Sequence, residues 1–219
     1  MQVYADRAEA GRMLGEKLGA RARDPTVCVL ALPRGGVPVA AEVARRLDAP
    51  LDVLVVRKVG APGQPELALG AIASGDILVM NDSLLHYFSG SDQEIAATID
   101  RERIELARRE RTYRGDREPV EVRDRTVILV DDGIATGATM RAAIRALRER
   151  RARRIVVAVP TAPVDACAVL RREADEVVCL DMPEPFIAVG RWYRDFGQTT
   201  DEEVRALLEG ARLDHTDPS

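Results

Sequence analysis

A doubly wound α/β fold built on a mainly parallel sheet is what this sequence predicts, on three observations. Five short, mainly apolar runs, at 27–32, 51–56, 127–130, 155–159 and 176–180, lack the alternation of a half-exposed strand and suit strands covered on both faces. Stretches of helical period separate most of these runs, which is the order of βαβ units. Several runs stop abruptly at glycines or charges, and right-handed crossovers bring such carboxyl ends to one edge, where ligands bind in this architecture.

A chain of 219 residues can bury a full core, so a single domain over 1–219 is expected. Within it, 60–125 reads as a loop, hairpin and helix insertion, and 181–210 as a small C-terminal hood with a final helix. The net charge of −4, with acids and bases interspersed, calls for neither nucleic acid nor an anionic membrane as partner. No uncharged apolar run is long enough to cross a bilayer, and the first residues lack the basic-then-apolar layout of an export signal. Cys28, Cys167 and Cys179 are odd in number and flanked by apolar residues. They read as small buried hydrophobes in a reducing compartment, and a cytoplasmic location is expected.

The first helix is expected over 6–20, with Asp6 and Glu9 at capping spacing and Ala10, Leu14 and Leu18 on one face. Pro25 ends it, and the strand at 26–32 leads into Pro33-Arg34-Gly35-Gly36. Val37-Pro38 opens the next helix. Two adjacent glycines at such a turn can present backbone N–H groups outward, beside the charge of Arg34 and the positive end of the helix dipole. The second strand is expected at 51–56, ending in Arg57-Lys58. Gly60 to Pro65 holds two glycines and two prolines in six residues and reads as a flexible stretch. The runs 67–73 and 77–80, parted by Ser74-Gly75-Asp76, predict a β-hairpin.

A weak helix is expected at Asp82–Phe88, and Ser91 with Glu94 caps a long helix to about Tyr113. Its arginines alternate with Glu102, Glu105 and Glu110 in favourable i,i+4 order, which predicts a solvated face. The strand Thr126–Val130 is followed by a helix from Ala138 with Met140, Ile144 and Leu147 inward. Strands at 155–159 and 176–180 flank a short helix to about Arg172. Residues 181–199 are irregular and hold Phe186, Trp192, Tyr193 and Phe196. Thr200 and Glu203 cap a last helix with Val204, Leu207 and Leu208 inward, and a loose tail is expected after Gly210.

The chemistry concentrates in Val130-Asp131-Asp132-Gly133-Ile134-Ala135-Thr136-Gly137-Ala138-Thr139. In Thr136-Gly137-Ala138-Thr139, successive amides at a helix N-terminus form a phosphate nest, and both threonine hydroxyls can donate to phosphate oxygens. Gly137 lets an anion approach the backbone. No lysine follows, so this is not the loop of a nucleoside triphosphatase. Asp131 and Asp132, a few residues earlier, suit the hydroxyls of a sugar whose phosphate occupies the loop, or a Mg²⁺ bound to those hydroxyls. Acidic pair and nest together indicate a sugar phosphate such as ribose 5-phosphate.

This stretch closely resembles the phosphoribosyl pyrophosphate (PRPP) binding motif of type I phosphoribosyltransferases, and the resemblance covers roughly 25–180. It implies that Asp131, Asp132, Ala135, Thr136, Gly137, Ala138 and Thr139 hold the ribose and 5-phosphate. Arg34, Gly35 and Gly36 fall where the family has its pyrophosphate loop. Lys58 falls where several members carry a pyrophosphate-contacting lysine, and the stretch from Gly60 where they have a loop that closes over the substrate. The hood from Asp181 would select the acceptor. The implied reaction is Mg²⁺-dependent transfer of 5-phosphoribosyl from PRPP to a nitrogenous base, or its reverse, with release of pyrophosphate. Arg34 and Lys58 would stabilise the leaving group.

Ala135 stands where 6-oxopurine enzymes of the family carry an acid, which speaks against hypoxanthine or guanine as acceptor. Glu66 is then the candidate acid, by similarity to adenine enzymes. The alternative is a PRPP- or nucleotide-sensing regulatory protein with little or no transfer activity. The family's tendency to dimerise makes a homodimer the expected assembly.

Overall fold

The structure, a computed structural model, describes residues 3–81 and 91–216, so the helix expected at Asp82–Phe88 lies outside the described residues. Its centre is a five-stranded sheet of β1 (Val27–Ala31), β2 (Leu51–Val53), β6 (Thr126–Val130), β7 (Arg154–Thr161) and β8 (Glu176–Asp181). All pairings in it are parallel, and the strands lie in the order β2-β1-β6-β7-β8. Helices α1 (Arg7–Lys17), α2 (Gly36–Leu47), α3 (Asp92–Arg114) and α6 (Asp201–Thr216) cover one face, while α4 (Ala138–Glu149) and α5 (Val164–Leu170) cover the other. This is the doubly wound fold the sequence predicts.

The unbroken apolar runs resolve into two cores, because successive strand side chains point to opposite faces. Val27, Val29 and Ala31 of β1, with Ile128 and Val130 of β6, pack against Val39, Val43 and Leu47 of α2 and Leu14 and Leu18 of α1. Cys28 and Leu30, with Val127 and Leu129, pack against Met140, Ile144 and Leu147 of α4 and Cys167 of α5. All three cysteines are buried and free.

The second strand is shorter than expected. Parallel pairing on β1 ends at Val53, and the Val55 amide donates to Ser74 Oγ at 2.9 Å while the Ser74 amide donates to the Val55 carbonyl. The chain thereby leaves the main sheet and enters a three-stranded antiparallel sheet of β3 (Val56–Ala61), β4 (Gln64–Ala73) and β5 (Ile77–Met80), packed on α3 and α4. Arg57 and Lys58 are therefore near the start of β3, with Lys58 opposite Ala71, and not at the carboxyl end of a core strand. Two Arg57 side-chain nitrogens, Nε and Nη2, donate to Glu102 of α3, at 2.9 and 2.7 Å. The expected hairpin is β4–β5. The stretch read as flexible is the tip of a second hairpin, where Ala61 pairs with Gln64 and Gly63 takes a φ of 74°.

Helix caps follow the sequence. Asp6 accepts from the Glu9 amide at 2.7 Å, Ser91 and Glu94 form a reciprocal capping box, and Thr200 and Glu203 form another. The helix α3 carries the Glu105–Arg109 and Glu110–Arg114 pairs at 2.8 and 3.5 Å, as its charge order predicts. The tail expected after Gly210 is instead helical, since α6 continues to Thr216. Among the described residues no helix is long and apolar enough to cross a membrane.

Candidate active site

The strand order reverses between β1 and β6. From β1 the chain crosses to β2 on one side, and from β6 to β7 on the other, so the loops after β1 and β6 part and leave a crevice between them. The two strand ends are level, with Ala31 paired to Val130 and the Leu32 amide donating to the Val130 carbonyl at 2.9 Å. Into this crevice the fold brings Pro33–Gly36 from one side and Asp131–Thr139 from the other.

Two glycines make that approach possible. A β-carbon on Gly35 would stand 2.1 Å from Asp132 Oδ2, and one on Gly36 would stand 2.8 Å from the Val130 carbonyl oxygen and 3.0 Å from Asp131 Cα. Any larger residue would push the acidic pair away. The expectation that both glycine amides point outward is corrected, because the Gly36 amide donates to the Leu32 carbonyl at 3.1 Å. The Pro33–Arg34 peptide is cis. Arg34 Nη1 lies 3.7 Å from Asp201 Oδ1 at the start of α6, a half-exposed pair of small energetic weight that leaves the guanidinium able to turn toward an anion.

After β6 the backbone turns at once. Asp131 accepts from the Asp132 amide at 2.9 Å, and the Ile134 amide donates to the Thr161 carbonyl at 2.9 Å. Ala135, Thr136, Ala138 and Thr139 are exposed, while Gly137 is buried with φ 76° and caps α4. Such a left-handed turn ahead of a helix needs glycine and aligns the following amides. Thr136 Oγ1 accepts only a long 3.5 Å contact from the Ala138 amide. Burial and the neighbouring Asp132 push the Asp131 carboxyl well above the usual carboxylate range. Burial also raises Asp132, against the opposing pull of the Arg7 guanidinium.

Arg7 is one residue that sequence reasoning missed. Its Nε donates to Asp132 Oδ2 at 2.8 Å from a position 125 residues away in the chain. Its Nη1 donates to the Gly197 carbonyl at 2.7 Å, and its Cζ sits 4.0 Å from the centre of the Phe196 ring. Tyr193 Oη donates to the Asp132 carbonyl at 2.5 Å and its ring stacks on Phe196. The concentration of aromatics at 186–196 was the only sequence signal for this side, and nothing local marks Arg7. Thr161 and Asp181, register partners near the ends of β7 and β8, each hold a buried side-chain oxygen with no hydrogen-bond partner among the described residues. Trp192 Nε1 is in the same state.

Arg34, Gly35 and Gly36 thus follow β1, and Asp131, Asp132, Ala135, Thr136, Gly137, Ala138 and Thr139 follow β6, at the adjoining ends of the two strands. Lys58 lies in the three-stranded sheet. Glu66 falls in β4, and its side chain is outside what is described.

Residues 2–191 match the model of the phosphoribosyl transferase domain. A protein of Mycobacterium tuberculosis, provisionally named a phosphoribosyl transferase in two strains, is 48% identical over 217 residues. The match covers 98% of this chain and 48% of that protein, so the chain spans about half the length of the curated relatives it matches. The crystal structure of TT1426 from Thermus thermophilus is 48% identical, superimposes with a TM-score of 0.83, and is matched over 95% of this chain and 98% of that one. The chain belongs to the phosphoribosyl transferase domain family.

Proposed function

We propose that this chain transfers the 5-phosphoribosyl group of PRPP to a nitrogenous base, or runs the reverse reaction, with Mg²⁺ and release of pyrophosphate. One observation carries the reading: an acidic pair leading to a helix N-terminus with two threonines follows β6, and the acids pack directly on the glycine loop that follows β1. The amides of 136–139 and the hydroxyls of Thr136 and Thr139 offer donors for a 5-phosphate. Asp131 and Asp132 offer acceptors for the ribose hydroxyls, and Arg34 offers positive charge to the pyrophosphate.

In the forward direction the bond from C1 to the pyrophosphate oxygen breaks and a bond from C1 to nitrogen forms. The bonding pair leaves with pyrophosphate, and the proton displaced from the base nitrogen passes to pyrophosphate or solvent. The protein's part is to align the two reactants and compensate the leaving charge. Lys58 and Glu66 belong to the β3–β4 hairpin. If that hairpin closes over bound substrate, it also excludes water.

Among the described residues no group of three or more His, Cys, Asp or Glu gathers into a metal cage. Two hard carboxylates beside a phosphate site are what Mg²⁺ accepts, because it keeps several waters and takes substrate oxygens as well. Asp131 and Asp132 would hold it indirectly, through the ribose hydroxyls or water. When bound, it neutralises charge on the pyrophosphate oxygens.

The test is a screen of PRPP and Mg²⁺ against candidate bases, following pyrophosphate release. Turnover on a base supports the transferase. Saturable PRPP binding without turnover on any base would replace it with a PRPP- or nucleotide-sensing protein.

A further inference from the structure

We infer that Arg7 is a positioning residue of the donor site: it sets the Asp132 carboxylate in place and couples it to the aromatic segment at 192–197. The inference rests on the reading of Asp132 as a ribose contact.

One guanidinium makes three contacts in three directions. Nε reaches Asp132 Oδ2 at 2.8 Å, Nη1 reaches the Gly197 carbonyl at 2.7 Å, and the plane lies 4.0 Å from the Phe196 ring centre. Only a planar fork can bond sideways to two acceptors while stacking on a ring, so lysine is no equivalent here. The side chains of Arg7 and Asp132 are 12% and 15% exposed, so water screens their pairing little.

Asp132 is confined on its other sides as well. Its Oδ2 is the atom that a β-carbon on Gly35 would strike, and its carbonyl oxygen accepts from Tyr193 Oη. The carboxylate is wedged between the glycine loop and Arg7, with little freedom to seek a hydroxyl by itself. A hydroxyl arriving at Oδ2 must share that oxygen with Arg7 Nε or displace it. Either change bears on the Gly197 carbonyl and the Phe196 ring, because the same guanidinium holds both. Tyr193 stacks on Phe196 and belongs to the buried cluster of Trp192 and Tyr4. Filling the ribose position is thereby felt at Trp192, the sole tryptophan of the chain.

The experiment titrates PRPP with Mg²⁺ into the full chain, by calorimetry and by Trp192 emission, in the wild type, Arg7→Ala, Arg7→Lys and Phe196→Leu. Arg7→Ala should weaken PRPP binding at least about tenfold, the loss of one charge-assisted hydrogen bond, and abolish the emission change at saturation. Arg7→Lys should recover most of the affinity and little of the emission change. Phe196→Leu, at a ring 38% exposed and so of little risk to folding, should reduce the emission change. Arg7→Ala with wild-type affinity and a full emission change would overturn the inference while leaving the proposed function standing. If Arg7→Ala does not fold, a full emission change in both Arg7→Lys and Phe196→Leu overturns it. A wild type that fails to bind PRPP overturns both.

Discussion

Gly35 lies so close to Asp132 that a β-carbon on it would stand 2.1 Å from Oδ2. No real contact is that short, so Gly35→Ala must move the carboxylate or the loop. The overpacking should cost about 1–3 kcal/mol of stability, read by urea denaturation. Affinity for ribose 5-phosphate should fall at least about tenfold, because a bond lost at one carboxylate is worth about that much. Wild-type affinity in a folded Gly35→Ala variant would show that Asp132 does not contact the ligand.

Asp131 should be a residue whose removal stabilises the free protein. Its folded carboxyl is raised above the ordinary carboxylate range by burial and by Asp132, so the folded state prefers it protonated. A raised folded value gives stability that is present below the unfolded value and lost as pH rises through the folded one. At neutral pH Asp131 therefore counts against the folded state. Asp131→Asn keeps an acceptor for the Asp132 amide and removes the charge, and a gain of about 1 kcal/mol would raise Tm by about 2–4 °C. The gain should vanish as pH falls through the carboxylate range, and PRPP affinity should drop in the same variant. A lower Tm at neutral pH would contradict the argument.

The buried Asp52 is the tie between the main sheet and α3. It accepts from Arg114 Nε at 3.1 and 3.2 Å and from the amides of Val53 and Val120. The Arg114 and Asp52 side chains are 10% and 9% exposed, so Arg114→Ala leaves a buried carboxylate without its cation. A loss of about 3–5 kcal/mol in chemical denaturation is expected. Replacing both residues with leucine should cost less than the single change.

Thr161 carries a fully buried hydroxyl with no partner among the described residues. Thr161→Val keeps the shape and removes the unmet polar atom, so stability should be unchanged or rise by up to about 1 kcal/mol. A loss of similar size in thermal denaturation would reveal a partner for that hydroxyl, such as an ordered water.

The sequence by itself determined the doubly wound sheet and the Asp131–Thr139 loop at its edge. Apolar runs, caps and the Asp131–Thr139 loop are local patterns, and a turn, a nest or a helix start is made by neighbours in the chain. Thr126–Val130 has the same bounds in sequence and structure for that reason. Only the tertiary structure decided the rest. Lys58 read as the end of a core strand because β2 and β3 form one apolar run, and the departure at Val55 depends on Ser74, nineteen residues on. The glycine pair reads as an anion loop in sequence, yet the structure also makes it the space into which Asp131 and Asp132 fit. The Arg7–Asp132 contact left no trace in the sequence, since a single arginine on a capped helix looks like surface until the fold brings it to the loop after β6.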